Sequence, residues 1–179
     1  MRSAAVIGTG LAGLLTAHGL LRKGFAVTLY SDRTAQQWLT EARPTGTAAR
    51  FERSLTFDRE LGLNHWDAPE AAIGGISLAF CQKPRNRLVT LTARLAAPCR
   101  ALDVRMVSAR WMGDFTERGG QLVIEPVSIA RLDEIAAAHE LTVVAAGRGI
   151  RRTGSAKYTK APSARAPRAF SYQLATNPR

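Results

Sequence analysis

Residues 4–33 read AAVIGTGLAGLLTAHGLLRKGFAVTLYSDR, and this stretch decides the fold. A short apolar run ends at Gly8, and residues 11–22 then carry apolar side chains at helical spacing. Gly24 follows a basic last turn, as at the end of a helix, and residues 25–30 alternate as a second strand. The order strand, helix, strand predicts the first unit of a parallel α/β sheet.

Three glycines at the first turn, Gly8, Gly10 and Gly13, have the spacing G-x-G-x-x-G. Gly8 permits a tight turn out of the strand, Gly10 lets a pyrophosphate approach the backbone, and Gly13 lets the helix pack close to the strand. Phosphates would then meet the N–H groups at the positive end of the helix. We predict a dinucleotide site here, and the alternative is a glycine-rich turn without a ligand.

The position that usually holds a ribose-binding carboxylate, about 18 residues past the third glycine, is Ser31. A serine hydroxyl is a weaker partner than a carboxylate, and Asp32 follows one step later. Asp32 is therefore a second candidate for the ribose, unless it only caps the next turn. Ser31 with Arg33 nearby also suits the 2′-phosphate of NADP, so an NAD(P)-binding module stays an alternative.

The net charge of +11 suggests nucleic-acid binding until it is mapped along the chain. No acidic residue follows Glu140, and eight Lys and Arg residues lie beyond it. Residues 151–179 are also rich in Ser, Pro and Ala, which is typical of a linker or tail. We expect a solvated basic segment rather than a nucleic-acid interface, with non-specific polyanion binding as the alternative.

The cysteines and the N-terminus exclude several classes of protein. Cys81 and Cys99 are too few and too far apart for a disulfide framework or a zinc site, and we expect buried thiols and no metal. The N-terminal apolar run is broken by glycines and has no cleavage site after it, so it resembles neither a secretory signal nor a membrane span. We expect a cytoplasmic protein that does not enter a membrane.

The rest of the chain continues the α/β pattern. The runs GGISLAFCQ and NRLVTLTARL, separated by a turn-like KPRN, predict a β-hairpin inserted at about 73–97. A helix over 105–118, a strand over 121–124 and a helix capped by Ser128 follow, and LTVVAAG is typical of a buried parallel strand. We predict a Rossmann-like domain over 1–150, in which residues 3–8, 25–30 and 141–146 are neighbouring parallel strands.

Four stretches together resemble the flavin monooxygenases of the styrene and indole monooxygenase type. They are VTLYSDR, APCRALDVR, ERGGQLV and LTVVAAGRG, in the order and spacing of that family. The Y-x-D-R and R-A-x-D-x-R elements are more particular than the glycine motif, and the family also carries a small hydroxyl residue where most flavoproteins have Glu. The resemblance covers about residues 3–150.

The resemblance implies an FAD-dependent monooxygenase that receives reduced FAD from a separate flavin reductase. The cofactor would activate oxygen and pass one oxygen atom to the double bond of a small aromatic substrate, styrene or indole. In such enzymes the protein positions the substrate and excludes water, so no catalytic side chain is expected. The hairpin would then belong to the sheet of a substrate domain, whose first strand lies within residues 151–179.

The resemblance also assigns FAD contacts residue by residue. The glycine turn would bind the pyrophosphate with backbone groups of Thr9, Leu11 and Ala12. Arg105 would lie near the phosphates unless it pairs with Asp103, and Arg100 is a weaker candidate of the same kind. The remaining predicted contacts are Ala146 and Gly147 beside the adenosine, and Arg43 in a loop beside the flavin.

Three departures from the family pattern limit the resemblance. Gly46 stands where the family has Asn, and Ser108 where it has Gln, so two polar contacts to the cofactor are removed. No Gly-Asp strand end with a glycine-rich helix start, the third FAD element of such flavoproteins, follows residue 150. We therefore expect either a fragment of a longer protein or a truncated homologue, with a non-catalytic protein as one alternative.

Overall fold

The computed structural model describes residues 2–43, 49–66, 72–83, 86–146 and 170–176 of the chain. These residues fall into two units. The first comprises residues 1–48, 56–65 and 102–156, and the second comprises 49–55, 66–101 and 157–179. The predicted domain boundaries differ from these and stay a prediction.

The first unit is built on a sheet of four parallel strands. They are β1 (Ser3–Ile7), β2 (Ala26–Ser31), β6 (Gln121–Ile124) and β7 (Leu141–Val144), and their order across the sheet is β6-β2-β1-β7. Numbered along the chain, this is the order 3-2-1-4 of a doubly wound sheet. The predicted α/β fold and the parallel neighbours of β1 are therefore confirmed.

The helices of this unit lie between the strands along the chain. They are α1 (Leu11–Arg22), α2 (Ala35–Thr40), α4 (Val104–Glu117) and α5 (Ile129–Ala138), and α3 (Glu52–Glu60) begins in the second unit and ends in the first. The side chain of Ser128 caps α5 as predicted by accepting from the Arg131 N–H. The predicted helix over 105–118 is α4, displaced by one residue.

Both faces of the sheet are covered. On one face, Ile135 of α5 packs with Ala5, Ile7 and Tyr30. Ala4 and Val6 point to the opposite face because side chains alternate along a strand, and both are fully buried. An apolar run buried on both faces is typical of a parallel sheet, which is why β1 carries no polar side chain after Ser3.

The second unit contains an antiparallel sheet. The predicted hairpin is formed by β4 (Ala72–Lys83) and β5 (Asn86–Ala101), which are longer than expected and carry register shifts near Gly75 and Cys81. β3 (Ala49–Arg50) pairs with β5, and β8 (Phe170–Thr176) pairs with β4.

Cys99 is buried and Cys81 half-buried, and both are free thiols. No helix in the ranges described is long and apolar enough to cross a membrane.

His18 connects α1 to α4 through a hydrogen bond. Its Nε2 lies 3.0 Å from the carbonyl oxygen of Trp111, and its Nδ1 lies 3.2 Å from a guanidinium nitrogen of Arg118. A carbonyl accepts and a guanidinium donates, so Nε2 carries the proton and the imidazole is neutral. Burial lowers the pKa of His18, and the charge of Arg118 lowers it further.

Replacing Gly13 should destabilise the first unit. A Cβ at Gly13 would collide with the carbonyl oxygen of Gly8, so Gly13→Ala should cost about 1–3 kcal/mol or more in unfolding free energy. Gly19→Ala is the matched control in the same helix, because a Cβ there meets nothing within 4 Å. That variant should gain about 0.5–1 kcal/mol. Urea unfolding followed by circular dichroism measures the unfolding free energy of both variants. Equal changes in the two would contradict the close packing of Gly13 against Gly8.

His18 should make the first unit less stable in acid. Its folded-state pKa is lowered from 6.5, so its stabilising contribution is present above pH 6.5 and is lost as the pH falls through the lowered value. His18→Gln keeps a donor for Trp111 and an acceptor for Arg118 but does not titrate. Urea unfolding at a series of pH values should show a steeper acid loss for the wild type than for this variant. If the unfolding free energies of wild type and His18→Gln fell equally with pH, His18 would not be held neutral in the folded protein.

Candidate functional site

The glycine loop, residues 8–13, leaves β1 at the carboxyl edge of the parallel sheet. β2 lies on one side of β1 and β7 on the other, so the strand order reverses between β1 and β7, and in doubly wound sheets this switch point is where ligands bind. The Gly8 N–H donates to Tyr30 O at 2.9 Å, and the Ala145 N–H donates to Ile7 O at 2.8 Å. These bonds fix the loop between the ends of its two neighbouring strands.

The three glycines have different surroundings. Gly8 has a φ of +112°, and a Cβ there would lie 2.7 Å from the oxygen of Ala145 and 2.9 Å from the Cα of Ala146. A Cβ at Gly13 would strike the Gly8 carbonyl, whereas one at Gly10 would meet nothing within 4 Å. Two glycines are thus required by packing, and Gly10 leaves open space above the backbone.

Open N–H groups lie beside that space. Gly10 is the N-cap of α1 and has no side chain to accept from the first turn, and the first helical bond runs from the Leu14 N–H to Gly10 O. The N–H groups of Leu11, Ala12 and Gly13 therefore have no partner within the helix. Such groups at the positive end of a helix can hold the oxygens of a pyrophosphate.

A chain of hydrogen bonds ties the loop to the end of β2. Trp38 Nε1 donates to Thr9 Oγ1 at 3.0 Å, and Thr9 Oγ1 lies 2.7 Å from Ser31 Oγ. Ser31 Oγ donates to the carbonyl oxygen of Arg33 at 2.6 Å. The sequence analysis did not predict that the side chains of Trp38 and Thr9 take part in the site. A local pattern that could have placed Trp38 on a helix is the T-x-x-Q capping box of Thr34 and Gln37, at which that helix begins.

Asp32 and Arg33 extend from the end of β2 towards solvent. The Arg33 guanidinium donates to both carboxylate oxygens of Asp32, at 2.9 and 2.6 Å, and lies 4.9 Å from the ring centroid of Trp38. The hydrogen bond from Arg33 lowers the pKa of Asp32 below its usual range. Asp32 is therefore ionised at neutral pH.

Arg105 is held by Asp103 at the start of α4. The Asp103 carboxylate accepts from the Arg105 backbone N–H at 2.9 Å, which caps the helix, and also from the guanidinium. The pairing of Arg105 with Asp103 that the sequence left open is therefore present. The hydrogen bonds from Arg105 lower the pKa of Asp103.

Of the remaining predicted site residues, one lies at the glycine loop and the others lie elsewhere or outside the described residues. Ala146 follows β7 and lies against Gly8, at the glycine loop. Arg43 is exposed after α2, and Arg100 is buried in β5 of the second unit. Gly147 and Gly46 lie outside the described residues. Ser108 is fully buried in α4, and its hydroxyl has no hydrogen-bond partner among the described residues.

No family model matches the chain, and no curated protein matches it. Solved structures do share its fold. CmlS, a flavin-dependent halogenase, matches with a TM-score of 0.52 and 17% identity over 69% of this chain. A ternary complex of aklavinone-11 hydroxylase with FAD and aklavinone matches with a TM-score of 0.50 and 19% identity over 68% of this chain.

A variant of 2-methyl-3-hydroxypyridine-5-carboxylic acid oxygenase is also similar, with a TM-score of 0.50 and 19% identity over 72% of this chain. The matched regions are 22%, 25% and 33% of the halogenase, the hydroxylase and the oxygenase. The chain thus spans a third or less of the length of these proteins. At this identity the similarity shows that the chain has a fold found in flavin-dependent enzymes.

Proposed function

We propose that this chain binds FAD, with the pyrophosphate of the cofactor against the glycine loop. The observation that carries the proposal is the contrast between the glycines: Gly8 and Gly13 are packed against backbone, while the space above Gly10 is open. That open space adjoins the first N–H groups of α1, which have no partner within the helix. The fold shared with a flavin-dependent halogenase and an FAD-bound hydroxylase gives further support.

The residues around the loop fit the adenosine diphosphate half of the cofactor. Leu11, Ala12 and Gly13 would donate backbone N–H groups to the phosphates. Ala146 has a small side chain beside Gly8, where the adenosine would pass, and we propose Gly147 as its neighbour in the same role. Arg105 would reach the phosphates by exchanging part of its pairing with Asp103, and Arg43 and Arg100 are proposed as further cofactor contacts.

We also propose that the chain is the FAD-binding portion of a two-component monooxygenase in the cytoplasm. Residues 1–150 would form the cofactor domain, with the hairpin inserted at about 73–97, and 151–179 would lead into a substrate domain. FAD, reduced by a separate flavin reductase, supplies the oxygen chemistry. One atom of O2 would enter the double bond of styrene or indole to give the epoxide, and the other would leave as water.

Two alternative functions can be distinguished from the proposed one by experiment. The first is an NAD(P)-binding module, which Ser31 with Arg33 nearby suggests in the sequence. The absorbance spectrum of the protein with its bound cofactor separates the two, because flavin absorbs visible light and nicotinamide does not. For a non-catalytic homologue that binds polyanions, deletion of residues 151–179 should abolish salt-dependent retention of nucleic acid.

Substituting Gly10 should block the cofactor without unfolding the protein. The Cβ of Gly10→Val meets no atom within 4 Å, and the φ of −74° is accessible to valine. The side chain would therefore occupy only the space that we assign to the pyrophosphate. Titration of FAD, followed by quenching of its fluorescence, should show binding to wild type and to Gly19→Ala and none to Gly10→Val. Equal affinity of all three proteins would exclude the glycine loop as the site.

ADP should bind this chain about as tightly as FAD does and should therefore displace FAD from it. The proposed contacts lie on the adenosine diphosphate half, so the flavin ring should add little affinity. Displacement of FAD by ADP, measured by the recovery of flavin fluorescence, tests this. FMN, which lacks the adenosine half, should not displace FAD. Displacement by FMN and not by ADP would show that the flavin half carries the affinity.

A further inference from the structure

The hydroxyl of Thr9, the residue between the first two glycines of the loop, is bonded within the protein both as a donor and as an acceptor. Thr9 is 3% exposed, and its Oγ1 lies 2.7 Å from Ser31 Oγ and 3.0 Å from Trp38 Nε1. Ser31 donates its proton to the carbonyl oxygen of Arg33. Thr9 must therefore donate to Ser31 and accept from Trp38. The side chain of Thr9 anchors the loop and has no proton left to donate to a phosphate.

The indole of Trp38 is fixed from two directions. The guanidinium of Arg33 lies over the ring, 4.9 Å from its centroid, while the N–H at the edge of the ring donates to Thr9. Trp38 is carried by α2, a helix of six residues whose first turn is closed by the capping box of Thr34 and Gln37. Because a helix this short is marginal by itself, these contacts determine where the indole lies.

The bond from Trp38 acts on the part of the loop that packing leaves open. Gly8 and Gly13 are held against backbone, whereas a Cβ at Gly10 would meet nothing within 4 Å. Glycine loses more conformational freedom on ordering than any other residue, so Gly10 is costly to hold in one conformation. The hydrogen bonds of the neighbouring Thr9 side chain order the peptide that joins Thr9 to Gly10.

We propose that Trp38 is a positioning residue of the nucleotide site. Its indole N–H holds Thr9, and Thr9 holds the loop in the conformation that receives the pyrophosphate. This inference rests on the proposed binding of the cofactor at the glycine loop. Trp38 acts through Thr9 and not through a contact of its own with the ligand. The affinity for a nucleoside diphosphate therefore depends on a hydrogen bond made within the protein.

Removing the indole N–H alone tests the proposal. Trp38→Phe keeps an aromatic ring beside Arg33 but cannot donate to Thr9. The affinity for ADP, measured by isothermal titration calorimetry, should fall about three- to tenfold, as expected for the loss of one hydrogen bond. In the nitrogen-15 correlation spectrum of the ligand-free protein, the backbone signals of Thr9 and Gly10 should also move or broaden, because the loop loses its anchor before any ligand is added.

Substitutions at Thr9 show whether Trp38 acts through that hydroxyl. Thr9→Val should weaken ADP binding at least as much as Trp38→Phe, since it also breaks the bond to Ser31. Thr9→Ser restores the hydroxyl and should recover most of the affinity that Thr9→Val loses. Adding Trp38→Phe to Thr9→Val should cause no further loss, because the bond is already absent.

Trp111→Phe is the matched control. The Trp111 indole N–H also donates one hydrogen bond, to the carbonyl oxygen of Leu63 at 3.0 Å, within the first unit. Its loss should lower the free energy of unfolding in urea and leave the affinity for ADP unchanged, because this bond does not join the glycine loop. Calorimetry reports the affinity of the folded protein, and any unfolded fraction appears in the stoichiometry.

The possible failures are distinguishable. Wild-type affinity for ADP in Trp38→Phe would overturn the inference and leave the proposed function standing. Equal losses of affinity in Trp38→Phe and Trp111→Phe would also overturn it, because the effect would then be one of general stability. A further loss on adding Trp38→Phe to Thr9→Val would show that Trp38 does not act through Thr9. If wild type did not bind ADP, both the inference and the proposed function would fail.

Discussion

The crossing of α1 over the end of β1 is the constraint on which the rest of the first unit depends. The Gly8 carbonyl faces Gly13 so closely that no side chain fits between them, and on its other side Gly8 lies against Ala145 and Ala146. A φ of +112° at Gly8 turns the chain within this space. The three segments meet because two of their residues have no Cβ, and this contact sets the start of α1 at the switch point of the sheet.

The chemistry of the candidate site follows from that placement. Since α1 begins at the carboxyl edge, the N–H groups of its first turn, which have no partner within the helix, lie at the switch point of the sheet. The side chain of Thr9, the residue between two of the glycines, turns inward and joins the Trp38–Thr9–Ser31 network. The loop is thereby ordered before any ligand arrives, which lowers the entropic cost of binding.

Local sequence patterns predict the backbone of this unit well. The bounds of α1 and β6, the cap of α5 and the parallel neighbours of β1 all follow from apolar period, glycine position and capping residues. The tight turn at Gly8 and the close packing at Gly13 could also be predicted, because the six-residue glycine motif places both glycines.

The side-chain network could not be predicted in the same way. Trp38 and Thr9 are 29 residues apart, and His18 and Trp111 are 93 apart, so their bonds depend on strand register and helix packing. Ser31 and Asp32 were both candidates for the ribose in the sequence, because nothing local shows that the hydroxyl is already bonded. The pairing of Arg105 with Asp103 could be expected from the sequence, since the two residues are two positions apart at the start of one helix.

Backbone amide chemical shifts during an ADP titration test the central claim most directly, namely that the adenosine diphosphate half of the cofactor lies on the glycine loop. In a nitrogen-15 correlation spectrum, saturating ADP should move the signals of residues 9–13 the most, because their N–H groups would bind the phosphates. The signals of β6 and of the far end of α1 should move little. Large shifts elsewhere with the loop signals unmoved, or no shifts at all, would contradict the claim.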